Sequence, residues 1–166
     1  MLKKYILVFL VSMVPLIELR GAIPIGLSNL WGESIPIIPL YVTCIVANMI
    51  PVPIIYLFAR KVLIWGSDKK LIGKFFKWCL EKGEKGGKKL QQKAGKQGLF
   101  LALLLFVGIP IPGTGAWTGT LAASILDMDF KTSIFAVMLG VILAGVIMGL
   151  ASAGVFGAVG TIFAVR

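Results

Sequence analysis

Glu18 and Arg20 are the only ionisable side chains between Tyr5 and Gly32, and they sit in the segment Pro15 to Pro24, PLIELRGAIP. Holding such a group in hydrocarbon costs roughly 2.5–3.5 kcal/mol on insertion scales, so an intramembrane pair of this kind marks a functional site by default. At i and i+2 they do not face each other on a helix, so a mutual ion pair needs a broken backbone, and otherwise each needs another partner. The plainer alternative is that they neutralise each other or cap helix ends. Arg20 offers a permanent, forked cation suited to a phosphate or carboxylate. Glu18 is read as a proton carrier, because a carboxyl in an apolar interior changes its proton affinity as its neighbours change.

A second cluster carries no charge. Gly108 to Gly115, GIPIPGTG, holds three glycines with Pro110 and Pro112, and Trp117 and Thr118 follow. An unbroken helix through it is excluded in practice. If helices restart after Gly21 and after Gly115, their N-termini aim free N–H donors and partial positive charge at the centre, with Thr114 capping the second. The candidate substrate-binding set is therefore Glu18, Arg20, Gly21, Pro24, Pro110, Pro112, Gly113, Thr114, Gly115, Trp117 and Thr118. Asn48 joins it as a polar residue in an apolar span beside Pro51 and Pro53, which should kink that span. An interhelical hydrogen bond is its simpler role.

These residues need a membrane to position them. The chain has 166 residues, 58% hydrophobic and 14% charged, with mean hydropathy +0.95, which excludes a soluble enzyme. Ser34 to Ala59, Gln97 to Leu126 and Thr132 to Val165 are charge-free over 26, 30 and 34 residues, each beyond the roughly 18 needed for a span. Of the net charge of +10, +9 resides in Arg60 to Lys96, with 12 basic and 3 acidic residues. Beside apolar spans this cluster reads as a cytoplasmic segment under the positive-inside rule, and nucleic acid is not expected as a partner. There is no His, and the seven acidic residues are scattered, so no metal and no cofactor is expected. No nucleophile, base and orienter share a recognisable spacing, so the chain is not read as an enzyme. Cys44 and Cys79 are expected as free thiols. Met1 to Leu16 is read as retained, because no small-x-small cleavage site follows it.

Tyr5 to Ile17 and Gly21 to Gly32 are apolar runs of 13 and 12 residues. At about 1.5 Å per residue neither crosses a hydrocarbon core of about 30 Å. They are read as two half-helices joined by a broken middle at Glu18 to Gly21, and Gln97 to Leu126 repeats the design. An offset of 94 residues lays Gly21-Ala22 over Gly115-Ala116. Paired interrupted segments point to a transporter-type repeat with its site at the repeat interface. Both breaks should face the protein interior, because lipid satisfies no backbone polar group. Lys69 to Leu80 has the pattern of an interfacial amphipathic helix. Glu81 to Lys96, with Gly83, Gly86, Gly87 and Gly95, is expected as a flexible connector. A turn is expected near Ser152 to Gly154. Gly145 and Gly149 should allow close helix approach, within the chain or between two copies.

The two motifs, Pro15 to Pro24 and Pro110 to Gly119 in that order, resemble the small multidrug export protein family, which is distantly similar to the DedA superfamily. The resemblance covers nearly the whole chain. It implies two re-entrant loops facing each other and transport or flipping of phospholipid-like carriers. Glu18 then matches the acidic residue of the first re-entrant loop, and Pro110, Pro112 and Gly113 match the Pro-rich tip of the second. DedA proteins carry arginines in that second loop and this chain has none there, which leaves Arg20 as the sole cation.

The expectation is thus an all-α, multi-pass cell-membrane protein forming a single unit, with halves 1–59 and 97–166 joined by a basic cytoplasmic connector, 60–96. Two broken or re-entrant hairpins plus transmembrane helices would form a pseudo-repeat. It is inverted if the hairpins are re-entrant and parallel if each broken segment crosses; the resemblance favours the first. The expected function is a homodimeric transporter or lipid flippase moving an anionic amphipathic substrate among membrane lipids, coupled to protons through Glu18. The alternatives are an exporter of cationic or amphipathic drugs, with Trp31 and Trp117 stacking on the substrate, and a non-transporting membrane scaffold.

Overall fold

The computed structural model describes residues 2–15, 17–29, 33–69, 73–111 and 113–164, and over these the regular structure is helical. The helices are α1 (Leu2–Met13), α2 (Glu18–Leu27), α3 (Ile37–Met49), α4 (Pro51–Ser67), α5 (Gly73–Gly108), α6 (Ala116–Ile125) and α7 (Phe130–Ala164). Two described stretches are long and apolar enough to cross a bilayer, Ile37–Ser67 and Phe130–Ser152. Their outer faces carry Ile38, Phe58 and Leu150, which are 75%, 65% and 72% exposed. By contrast α1, α2 and α6 have 12, 10 and 10 residues, about 15–18 Å of helix or half a hydrocarbon core.

The short helices fold back on their neighbours. Lys4, in the first turn of α1, donates from Nζ to the carbonyls of Ser28 and Glu33, just past the end of α2. Helices α1 and α2 therefore form an antiparallel hairpin with residues 14–17 at its tip. In the second hairpin Gly119 lies against Val107 and Leu103, while Ala123 and Leu126 share an apolar cleft with Leu99. Here residues 109–115 form the tip. The open end of the first hairpin lies beside the start of α3, where the N–H of Ile35 donates to the carbonyl of Gly26 at 2.9 Å. That of the second lies beside α4, where Asp127 pairs with Arg60 and Tyr56 donates to the carbonyl of Met128. The hairpins thus point toward each other from opposite ends of the molecule.

Small side chains allow this packing, since lipid offers little hydrophobic drive between helices and close backbone approach must supply the contact. Ala22, Ala47, Ala116, Ala123, Ala136 and Ala144 are buried. A Cβ on Gly140 would stand 2.7 Å from Val107 Cβ and 2.8 Å from the Leu104 carbonyl oxygen, so α5 and α7 cross there at backbone distance. Tyr41 of α3 fills the notch over Gly145 and Gly149, and its hydroxyl donates to the Gly145 carbonyl at 2.8 Å. The G-x-x-x-G stripe is used within the chain.

Three expectations need correction. The first break lies at residues 14–17, four residues before the expected position, because Pro15 interrupts α1. Glu18, Leu19, Arg20 and Gly21 instead open α2, and Pro24 sits inside it. The connector expected over 81–96 is helical up to a break at Gly95, whose φ of 67° and ψ of −179° kink α5 into two helical segments. No turn interrupts α7 at Ser152 to Gly154, and its sequence contains no proline to break it. The span after the first hairpin divides at Ile50 into α3 and α4, with Pro51 as the first residue of α4, as the prolines predict. Of the amphipathic helix, Leu71 and Ile72 lie outside the described residues, and the helix begins at Gly73.

Candidate functional site

The site is where the two tips meet. Glu18 is the first residue of α2, 4% exposed, with φ 50°. This left-handed conformation costs an L-residue roughly 1–2 kcal/mol. Strain of this kind at a buried charge points to a position fixed by its surroundings. Its carboxylate reaches across to the start of α6, where Oε2 accepts the N–H of Ala116 at 3.2 Å and Oε1 that of Trp117 at 3.1 Å. The first N–H groups of a helix have no partner within it and carry the positive end of its dipole. An anion from another element therefore supplies the cap. Gly115, the residue before α6, has φ 146° and no side chain in the way; a Cβ there would collide with the Glu18 carboxylate.

Arg20 turns to the opposite helix end. Its Nη1 donates to the carbonyl of Ile111, and its Nη2 donates to the carbonyls of Val107 and Ile109 at 3.3 Å each and to Thr114 Oγ1 at 3.0 Å. These carbonyls belong to the last turn of α5 and the loop beyond it, where partners are missing and negative potential gathers. Thr114 ties the same loop together, donating toward the Ile109 and Ile111 carbonyls at 3.0 and 2.8 Å. The first hairpin's acid thus sits on the N-terminus of α6, and its base sits on the C-terminus of α5.

Of the residues singled out in the sequence, Glu18, Arg20, Thr114, Gly115 and Trp117 come together at this junction. Thr114 does not cap α6 as expected, because its hydroxyl is turned back into the loop and Glu18 takes the cap instead. The open anion site expected from the α6 donors and Arg20 is closed in this conformation, since both are engaged by the chain itself. Gly21 lies inside α2 against Ile17 rather than at a helix start. Pro24 is one and a half turns along α2, where its carbonyl accepts the N–H of Ser28 at 2.9 Å. Pro110 and Gly113 lie in the second tip, Gly113 with φ 85° and open space around it. Thr118 donates to the Gly115 carbonyl at 3.4 Å, within its own helix. Pro112 and Trp31 lie outside the described residues. Asn48 is fully buried, and its amide has no hydrogen-bond partner, so the expected interhelical bond is not made.

Sequence reasoning missed two supports. Lys4 is 4% exposed and holds the open end of the first hairpin. It stands directly before the apolar run that begins at Tyr5. Tyr56, which binds the Met128 carbonyl while its own carbonyl accepts Ser124 Oγ at 3.0 Å, carried no signal in the sequence. The carbonyls that receive Arg20 are backbone groups, invisible to residue type. Among the described residues no cluster of His, Cys, Asp or Glu could hold a metal ion.

Two apolar spans, and helix ends that close on a buried acid and a half-buried base, define an all-helical membrane protein with a polar junction. The chain belongs to the family described as "Putative small multi-drug export protein", whose model matches residues 18–147. The match begins at Glu18 and takes in both partners of the tip junction. No curated protein and no solved structure matches the chain.

Proposed function

We propose that this protein exports amphipathic cations from the membrane, with Glu18 exchanging a proton for the substrate's positive charge. The observation that carries the reading is the Glu18 carboxylate, enclosed at the meeting of the two tips yet held only by two backbone N–H groups. A cation or a proton competes with those donors for the same oxygens. Trp117, whose N–H is one of them, also lines an apolar groove of about 410 Å³ between α4 and α6, with Ile55, Phe58, Val62, Leu121 and Ile125. An apolar groove with an aromatic wall leading to a buried acid suits a hydrophobic cation, which arrives from the lipid rather than from water.

In this reading α1–α2 and α5–α6 are re-entrant hairpins, inserted from opposite faces of the bilayer, and the long α3–α4 and α7 cross it. Hairpin, span, hairpin and span make an inverted repeat, the arrangement that the DedA resemblance implies, with the site at the repeat interface. Residues 1–59 and 97–166 act as the two halves of a single membrane unit. The basic segment 60–96 faces the cytoplasm. Lys4 is no obstacle to an outside N-terminus, because its charge is used to close the first hairpin.

A second reading is transport of an anionic lipid headgroup, favoured by one observation: Arg20 Nε is buried without a partner, a free donor on the only cation at the junction. Reconstitution into liposomes separates the two. With an ethidium-like cation inside and a pH gradient imposed, wild type moves the dye and Glu18→Gln loses at least about tenfold of the rate, while a fluorescent lipid moves no faster than in empty liposomes. Lipid movement that depends on Arg20, with no dye movement, overturns the export reading in favour of the second. Neither activity in folded protein leaves the scaffold.

A further inference from the structure

Among the described residues, the buried side-chain polar atoms without a hydrogen-bond partner belong to three residues: Arg20 Nε, Trp117 Nε1 and both amide atoms of Asn48. Arg20 and Trp117 are already at the junction. Asn48 is the case to explain, because it is wholly enclosed and an unpaired buried polar group costs roughly 1–3 kcal/mol.

Its place follows from two registers. Leu40, Cys44 and Asn48 succeed one another at i, i+4 and i+8 on one face of α3. Leu40 lies against Gly26 of α2, and the Cys44 carbonyl accepts Ser12 Oγ of α1 at 3.0 Å. That face therefore packs on the first hairpin. Helices α2 and α3 run in opposite senses from their shared turn, so two turns from Gly26 is Glu18 and two turns from Leu40 is Asn48. The second register uses α4 and α6, which run in the same sense and touch where Ser124 Oγ meets the Tyr56 carbonyl at 3.0 Å. Two turns before Ser124 in α6 lies Ala116, and two turns before Tyr56, across the α3–α4 division where the Ile50 N–H still bonds the Val46 carbonyl at 3.2 Å, lies Asn48 of α3. The orphaned amide is thus level with the Glu18 carboxylate and with the N–H groups that hold it.

We propose that Asn48 is the second station of Glu18: when the carboxylate takes up a proton, the neutral acid leaves Ala116 and Trp117, donates its O–H to Asn48 Oδ1 and accepts from Asn48 Nδ2. One proton is gained on a Glu18 oxygen and no other covalent bond changes. The chemistry selects the state. An ionised carboxylate only accepts, so it fits two N–H groups at a helix N-terminus, where the dipole also favours the anion. A protonated carboxyl has one donor and one acceptor, the complement of a primary amide. The titratable groups around Glu18 are few: Arg20 on its own helix and Cys44 on α3. Lys4 of α1, Tyr41 of α3, Lys96 of α5 and Lys131 of α7 lie toward the helix ends away from the tips, and α6 contributes none. The movement would free the α6 donors once per proton, which gives export its coupling step.

The inference rests on Glu18 exchanging protons, and the experiment keeps the two apart. Infrared difference spectra of the full chain in liposomes, titrated with acid, are expected to show a carboxylic C=O band that vanishes in Glu18→Gln. In Asn48→Leu this band should move to higher wavenumber as its hydrogen bonds are lost. In the same variant the pH midpoint of dye export should fall by about one unit, because the protonated form has lost its partner. Asn48→Gln, which keeps the amide, should hold both readouts nearer to wild type. Asn48→Ser carries the same test if the leucine variant does not fold. A Glu18 band that stays in place in the variants overturns the pairing, whatever export does. A band that moves while no dye is exported supports the pairing and refutes only the export reading.

Discussion

The first hairpin carries an acid and a base at the start of α2, beside its tip, whereas the tip of the second, between α5 and α6, carries no charge at all. What the second has instead is exposed backbone: N–H groups at the start of α6 and carbonyls at the end of α5. Neither is tolerable alone in an apolar interior, since an unpaired charge or backbone group buried there costs free energy. Placed tip to tip they satisfy each other, with Glu18 on the positive helix end and Arg20 on the negative one. The difference between the hairpins shows how a chain with few charges can hold two interrupted helices at its centre.

Removing the acid should damage this complementarity most. Glu18→Ala leaves two N–H groups without their charged acceptor, and an expected loss of about 2–3 kcal/mol would appear as earlier unfolding in detergent, followed by tryptophan fluorescence. The uncharged hairpin has its own weak point at Gly115. Gly115→Ala places a methyl group on the Glu18 carboxylate and forces a φ that L-residues avoid, so it should cost roughly 1–3 kcal/mol. At Gly113, where space is open, Gly113→Ala should cost only the backbone strain, about 1 kcal/mol; equal losses at the two glycines would mean that the carboxylate is not where it is described.

Changing the base should do less. Arg20→Lys keeps the charge but cannot fork between the loop carbonyls and Thr114, and a loss of about 1 kcal/mol is expected. The smallest effect lies outside the spans, at Asp129, which accepts the Thr132 N–H and hydroxyl at 3.0 Å each at the start of α7. Those two bonds hold its carboxyl below the usual carboxylate range. A depressed carboxyl stabilises the folded state above its unfolded pKa and loses that contribution as pH falls through its folded value. The melting-temperature difference between wild type and Asp129→Ala should therefore be small near neutrality and fade as the pH falls through the lowered value of this carboxyl.

Much of this was legible in the residues. Glycine and proline density marked the second tip, where α5 ends at Gly108 and α6 starts at Ala116 as the sequence indicates. The lone charges marked the first. Less legible was which group closes which helix end, because the partners of Arg20 are carbonyls and those of Glu18 are N–H groups, present at almost every position. The first break lies four residues ahead of the charges that mark it in the sequence, because Pro15 stops the helix just before them. The length of α5 was hidden by Gly83, Gly86 and Gly87. A Cβ on Gly87 would run into the backbone of Leu126, so that glycine serves a close helix contact rather than flexibility.

The meeting of the tips has one side-chain pair that can be deleted from both ends, Arg20 and Thr114, separated by 3.0 Å and by 94 positions in the chain. A double-mutant cycle of Arg20→Ala and Thr114→Ala, read by unfolding in detergent, is predicted to give a coupling of about 0.5–1.5 kcal/mol. Losses that add to within about 0.3 kcal/mol would place the two hairpins apart and contradict the account.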